Sequence, residues 1–178
     1  IAGCFDRFRD RGLEPVLIKG WAAARNYPPN VPRRYTDVDL AFSANQFEEA
    51  RRIVRSDAHF PYNVDLHREL KHLDSVPWAD IFDRSQVLDL NACQVRVPSD
   101  EDHLRIMATH WLNDGGERKE KLLDIYYAVA NRPPEFDWDV CLNAVGAHRR
   151  AWVIIAIGAA HRYPGLELSD LPFRSEAA

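Results

Sequence analysis

The first half of the chain alternates short apolar runs with segments of helical spacing. Residues 15–18, 36–42 and 63–70 predict three β-strands, and residues 87–97 predict a β pair that turns around Asn91. Between the strands, residues 1–11, 21–27 and 44–54 predict helices. The Pro-rich residues 27–34 predict a loop, whereas the run 57–61 shows no clear hydrophobic period. This order of elements indicates a mixed sheet with helices packed on it.

From Pro98 onward, the pattern of apolar positions is helical throughout. It is interrupted at residues 113–116, at residues 132–134 and near Ala147, which predicts about four helices. We therefore expect an α+β protein with two domains. A small mixed-sheet domain would comprise residues 1–98, and a C-terminal helical domain would comprise residues 99–178. Because the chain begins at Ile1, inside a predicted helix, we also expect it to be part of a longer protein.

Composition and charge exclude several classes of protein. The chain has 23 Lys and Arg against 27 Asp and Glu, a net charge of −4, so it lacks the basic excess of a general DNA-binding protein. No apolar run is long enough to span a bilayer. Cys4, Cys93 and Cys141 are far apart, which argues against a disulfide framework and a structural zinc site. We expect a cytoplasmic protein that does not bind membranes.

The first candidate for chemistry is the acidic pair Asp37 and Asp39 on the second predicted strand. Alternate side chains of a strand share a face, so the two carboxylates should project together while Val38 and Leu40 enter the core. Carboxylates this close repel each other unless a cation lies between them, and Mg²⁺ suits such oxygen ligands. The alternative is a solvated strand face without a metal.

Asp65 strengthens the metal interpretation because it lies on the next alternating strand. If the two strands are neighbours, Asp65 can join Asp37 and Asp39 in a three-carboxylate site for two metal ions. Such a site activates an attacking oxygen and stabilises the leaving oxygen in phosphoryl or nucleotidyl transfer. An exposed aspartate without a function is the alternative. His67 shares the predicted face of Asp65 and can be a ligand, a base, a supporting residue or a structural histidine.

Residues at the end of the first predicted strand and just before the second are candidates for phosphate binding. Lys19 and Gly20 end the first strand and lead into a helix, where free backbone N–H groups and the helix dipole favour an anion. Arg33 and Arg34 precede the acidic strand and could clamp a phosphate. A tight turn at Gly20 and solvated basic side chains are the alternatives.

These motifs together resemble a known family. The segments 16–20, 33–40 and 64–67, which read VLIKG, RRYTDVDL and VDLH, are similar in this order to poorly characterised nucleotidyltransferase-like proteins of the DNA polymerase β superfamily. The resemblance implies a nucleotidyltransferase fold for residues 1–98. It also implies Mg²⁺ or Mn²⁺ at Asp37, Asp39 and Asp65, and triphosphate contact near Gly20. Lys19-Gly20 stands where better-known relatives have Gly-Ser, so the serine that would touch the phosphate is missing.

The expected activity is transfer of a nucleoside monophosphate from an NTP to a hydroxyl or phosphate acceptor. Its catalytic and metal-binding residues would be Asp37, Asp39 and Asp65. The nucleotide-binding residues would be Lys19, Gly20, Arg33 and Arg34. The acceptor can be a small molecule, a protein or tRNA. Two alternatives remain: a non-catalytic module that binds a nucleotide or a partner, and a toxin–antitoxin-type nucleotidyltransferase that modifies protein or tRNA.

Overall fold

A computed structural model describes residues 1–56, 60–91 and 93–178 of the chain. The elements of this part, in chain order, are α1 (Ala2–Arg9), β1 (Val16–Leu17), α2 (Trp21–Ala24), β2 (Val38–Phe42), α3 (Phe47–Ser56), β3 (Val64–Arg68), α4 (Trp78–Arg84), β4 (Gln86–Leu90), β5 (Cys93–Val97), α5 (Asp100–Asn113), a 3₁₀ turn (Lys119–Lys121), α6 (Leu122–Ala130), α7 (Trp138–Asn143), α8 (Ala147–Arg162) and α9 (Arg174–Ala177). The α+β class expected from the sequence is confirmed.

The chain forms two compact units. The first unit contains residues 1–22, 33–70 and 77–99, and the second contains residues 23–32, 71–76 and 100–178. The second unit therefore includes two short segments from the first half of the chain as well as the C-terminal helices. The division into domains at residue 98 stays a prediction, because it concerns which parts fold independently.

The first unit is built on a small mixed sheet with β2 at its centre. β1 pairs with β2 in antiparallel orientation, and β3 pairs with β2 in parallel orientation. Leu40 and Phe42 of β2 are fully buried and belong to the apolar core of this unit. The ring of Phe42 packs against Phe8 of α1, with 4.9 Å between the ring centroids. The predicted entry of alternate β2 side chains into the core is confirmed.

A separate hairpin of β4 and β5 completes the first unit. Its strands are antiparallel, with Leu90 opposite Cys93. Asn91 in the turn has a positive φ of 57°, a conformation that asparagine tolerates better than most residues. The predicted β pair around Asn91 is confirmed.

The second unit is helical, with α5, α6, α7 and α8 packed around an apolar core. Leu104, Ile125, Val153 and Ile157 are fully buried members of that core. The predicted interruptions lie where helices end or begin, since α5 ends at Asn113, α6 ends at Ala130 and α8 begins at Ala147. Nowhere in the described part of the chain does a helix combine the length and apolar character that crossing a bilayer requires.

Several expectations about local structure differ from the structure or lie outside it, and the predicted strands 15–18, 36–42 and 63–70 are each shorter. The helix predicted over residues 21–27 is shorter and covers only Trp21–Ala24, and the helix predicted from residue 44 begins at Phe47. The sequence pattern also did not predict α4 at Trp78–Arg84. The unpatterned run 57–61 lies mostly outside the described residues.

Candidate metal and nucleotide site

The parallel pairing of β2 and β3 places two of the predicted carboxylates side by side. Asp39 and Asp65 are direct register partners. Leu40 and Phe42 face the core of the unit, so by strand alternation Asp39 faces the opposite side of the sheet. Asp65 lies on the same side, as does His67 two positions further on. The expectation that these two strands are neighbours is confirmed.

Asp39, Asp65 and His67 form a compact group of donor atoms. One ligand atom from each residue lies within 4.8 Å of the others. His67 Nε2 is 3.2 Å from Asp39 Oδ1 and 3.3 Å from Asp65 Oδ2. The side chains of Asp39 and His67 are 5% and 10% exposed, whereas that of Asp65 is 60% exposed. The group is therefore anchored in protein on one side and accessible to solvent on the other.

Lys19 supplies a positive charge at the buried end of this group. It lies two residues after the end of β1, and its Nζ donates to Asp39 Oδ1 over 2.9 Å. The backbone N–H of Ile18 donates to the Asp39 carbonyl oxygen over 3.1 Å, which fixes the end of β1 beside the acidic strand. The sequence predicted a metal ion beside the carboxylates and phosphate contact for Lys19, whereas the structure pairs the ammonium of Lys19 with Asp39. We call Lys19, Asp39, Asp65 and His67 the Asp39 cluster.

The cluster keeps Asp39 ionised. Burial of the carboxyl group raises its pKa, because a charged group loses hydration in the protein. The hydrogen bond from His67 and the positive charge of Lys19 outweigh burial and hold the pKa of Asp39 below its ordinary value. Asp39 is therefore a carboxylate over the neutral pH range and available as an anionic ligand.

Asp37, the other member of the acidic pair, lies one position before β2. It is partly exposed and forms a bend, and it is not part of the three-residue donor group. The neighbouring turn packs on this segment, because a Cβ atom at Gly20 would lie 3.5 Å from the Asp37 carbonyl oxygen. The role of Asp37 as a metal ligand stays a prediction.

Gly20 has a backbone reason to be glycine. Its φ of 63° lies in the left-handed region, where other residues are strained. It directly precedes α2, which has four residues and so offers only a small dipole to an anion. The turn itself therefore accounts for Gly20, and triphosphate contact at Lys19 and Gly20 remains an expectation.

Arg33 and Arg34 lie on the irregular segment before β2. Arg33 Nη1 donates to the Arg34 carbonyl oxygen over 3.2 Å, and Arg34 is exposed. Both guanidinium groups belong to the same unit as the Asp39 cluster. Their contact with phosphate, as the sequence predicts it, is likewise an expectation.

Two features of the site go beyond the residues predicted for it. The sequence left the role of His67 open, although its position two residues after Asp65 indicated that the two side chains share a face. The ion pair between Lys19 and Asp39 was not predicted. It depends on antiparallel pairing between β1 and β2, which are separated by a helix and a long loop, and no local pattern in the sequence shows that pairing.

The fold and site define the class of protein. A small mixed sheet carries acidic side chains on adjacent strands, helices accompany it, and these acidic side chains with His67 form a candidate metal site. A family model described as an uncharacterised nucleotidyltransferase matches residues 4–157. The chain therefore belongs to this nucleotidyltransferase family. No curated protein and no solved structure matches it significantly.

Proposed function

We propose that the protein is a divalent-metal-dependent nucleotidyltransferase. It transfers a nucleoside monophosphate from an NTP to a hydroxyl or phosphate acceptor. The single observation that carries this proposal is the register of Asp39 opposite Asp65 on parallel strands. This pairing supplies two carboxylates on one face, where they can hold a divalent ion for nucleotidyl transfer.

The residues present fit a divalent cation. Asp39 and Asp65 offer carboxylate oxygens, which Mg²⁺ and Mn²⁺ both accept. Asp39 is held ionised and in place by Lys19 and His67, whereas the exposed Asp65 can reach a ligand from solvent. When bound, the ion would neutralise charge on the transferring phosphate. Asp37 is proposed as a further ligand from the segment before β2.

The reaction needs a group that receives the acceptor proton, and we assign this role to Asp65. The acceptor oxygen forms a bond to the α-phosphorus of the NTP. The bond from the α-phosphorus to the oxygen that bridges to the β-phosphate breaks, and pyrophosphate leaves. The acceptor's proton passes to the carboxylate of Asp65, the most exposed member of the Asp39 cluster.

Lys19, Gly20, Arg33 and Arg34 are the proposed nucleotide contacts. Lys19 places a positive charge against Asp39 at the buried end of the donor group, and we propose that a phosphate bound beside the ion comes within its reach. Arg34 is the most informative residue to change, because its exposed side chain can be removed without disturbing the sheet. The Arg34→Ala variant should bind NTP more weakly while its circular dichroism spectrum stays that of the wild type. A Gly20 variant is less informative because the positive φ alone would strain it.

The position of the transferred label tests the proposed reaction. The protein is incubated with Mg²⁺ or Mn²⁺, a cell extract and each NTP labelled at the α- or the γ-phosphate. We expect α-label in an acceptor and γ-label in pyrophosphate. The Asp65→Asn variant should lose this transfer. Asp89→Asn, which changes an exposed aspartate on β4 of the same unit, should retain it. Transfer of γ-label to an acceptor would contradict nucleotidyl transfer.

A second candidate is nucleotide binding without turnover. It is favoured by Lys19-Gly20 in place of Gly-Ser, and by the engagement of Lys19 with the carboxylate of Asp39. Metal-dependent NTP binding with no transfer of α-label, in any extract, would support this candidate over the enzyme. A toxin–antitoxin-type activity would instead give α-label in protein or tRNA. The cytoplasmic location and the lack of general DNA binding are parts of the proposal as well.

A further inference from the structure

We propose that His67 is a nitrogen ligand of the divalent ion, and that the resulting site binds Mn²⁺ in preference to Mg²⁺. The inference rests on the metal dependence proposed above and specifies which ion the site takes. It starts from the position of the imidazole. Its Nε2 atom lies almost equally far, 3.2 and 3.3 Å, from an oxygen of Asp39 and an oxygen of Asp65.

These distances match the spacing of neighbouring ligands around one ion. Ligands at about 2.1 Å from an octahedral ion, at right angles to one another, lie about 3 Å apart. The two nitrogen–oxygen distances are close to this value, and one donor atom from each of the three residues lies within 4.8 Å of the others. The three side chains can therefore share one ion with small shifts.

The position of the His67 imidazole is fixed by its place on β3. His67 lies two residues after Asp65 on β3, and its side chain is nine-tenths buried, so it is not a freely rotating surface histidine. The residue opposite it on β2 is the fully buried Ala41. Its alternation with the core-facing Leu66 directs the imidazole to the face that carries Asp39.

The donor set decides between the two ions. Mg²⁺ is a hard cation that takes oxygen ligands and keeps several waters, whereas Mn²⁺ shares this preference for oxygen but, as a first-row transition ion, also accepts an imidazole nitrogen. A site with two carboxylates and one imidazole therefore favours Mn²⁺. A histidine that only donates a hydrogen bond to the carboxylates would give no such preference, because the ion would then meet oxygen atoms alone.

Pulsed electron paramagnetic resonance on Mn²⁺ bound to the protein tests the assignment. Directly bound imidazole gives a nitrogen coupling, which should be present in the wild type and absent in His67→Gln. His161→Gln is the matched control, because it removes an exposed histidine in the second unit and should retain the coupling. In competition, displacement of Mn²⁺ should need at least about a tenfold excess of Mg²⁺ in the wild type, and much less in His67→Gln. His67→Asn serves as a second variant, and circular dichroism verifies the fold of both.

The outcomes separate this inference from the proposed function. Bound Mn²⁺ without nitrogen coupling, or with a coupling that persists in both His67 variants, would overturn the role of His67 and leave the metal-dependent transferase intact. Failure of the wild type to bind Mn²⁺, even with a non-hydrolysable NTP, would overturn both. If neither variant folds, the wild type is prepared with ¹⁵N-labelled histidine. The proposal predicts that the nitrogen coupling then changes, and an unchanged coupling would contradict it.

Discussion

Among the described residues, each unit contains a group of charged side chains that is at least partly buried, and the two groups are built differently. In the second unit, Arg105 pairs with Asp74 and Asp102, and all three side chains are almost completely buried. We call these three residues the Arg105 cluster. In the first unit, the Asp39 cluster is buried at Asp39 but open to solvent at Asp65.

In the Arg105 cluster, the guanidinium is surrounded by hydrogen-bond acceptors. The guanidinium donates to Asp74 Oδ2 over 2.9 Å, to Asp102, and to the carbonyl oxygens of Val140 and Cys141 over 2.8 and 3.2 Å. Burial alone would lower the pKa of Arg105, but the two carboxylates outweigh burial and raise it. Because all three side chains are almost completely buried, an ion from solvent has no open path to these carboxylates.

The Asp39 cluster has the same formal charges, one cation and two carboxylates, but it differs in its exposure to solvent. Lys19 contacts Asp39, whereas the exposed carboxylate of Asp65 contacts the imidazole of His67. Negative charge at the open end therefore remains available for a cation from solvent. A fully buried ionic group is closed to ligands from solvent, whereas a group that is open on its anionic side can bind a cation.

The largest effect is expected from opening the Arg105 cluster. Arg105→Met leaves two buried carboxylates without their counter-charge, so the free energy of unfolding should fall by about 3–5 kcal/mol. Urea denaturation followed by circular dichroism measures it. Arg150→Met, which breaks an exposed pair with Glu176, should have a much smaller effect. A loss below about 1 kcal/mol for Arg105→Met would show that the cluster is not the structural element described.

A smaller loss of stability is expected from Lys19→Met. The substitution removes the ammonium beside the buried Asp39, which should lower the free energy of unfolding by about 1–3 kcal/mol. Bound Mn²⁺ supplies a replacement charge, so the stabilisation by Mn²⁺ should be larger in this variant than in the wild type. Thermal denaturation with and without Mn²⁺ gives both quantities. Exposed Lys71→Met is the control, and equal Mn²⁺ stabilisation in all three proteins would contradict the account.

The pH dependence of stability should report on Asp39. Its pKa is lowered in the folded protein, so the ionised carboxylate stabilises the fold at pH values above its unfolded-state pKa of about 3.9. This contribution is lost as the pH falls through the lower folded-state pKa. The difference in free energy of unfolding between the wild type and Asp39→Asn should therefore shrink from about pH 5 to pH 2. A difference that stays constant over this range would contradict the assignment.

The smallest effect on stability is expected from Asp65→Asn. Its side chain is mostly exposed, so the free energy of unfolding without metal should change by no more than about 0.5 kcal/mol. The same substitution should strongly weaken Mn²⁺ binding, because it removes an anionic ligand. Urea denaturation and calorimetric titration with Mn²⁺ separate the two effects. A large loss of stability would mean that Asp65 has a structural role like that of Asp74.

Local patterns predicted much of the sheet and of the site. Alternation along 36–42 and 63–70 assigned Leu40 to the core, and it predicted that Asp39 and Asp65 share a face if their strands are neighbours. The parallel register confirms that condition. These predictions succeed because a strand's periodicity is encoded in adjacent residues.

Features that depend on distant residues could not be predicted in this way. The hydroxyl of Tyr27 donates to Asp124 over 2.7 Å and its ring packs on Tyr127, which helps to place the early segment 23–32 in the second unit. Nothing within the segment 23–32 identifies these partners. Helix α4 has only seven residues, too few to show a clear hydrophobic period.

Nucleotide binding as a function of metal tests the central claim most directly. Calorimetric titration with a non-hydrolysable NTP is carried out on the wild type, Asp39→Asn and Asp89→Asn, each with Mn²⁺ and with a chelator. We predict that the wild type and Asp89→Asn bind the nucleotide only with Mn²⁺, and that Asp39→Asn binds it at least about tenfold more weakly. Equal affinity in all three proteins, with or without metal, would contradict a metal-dependent nucleotide site at Asp39 and Asp65.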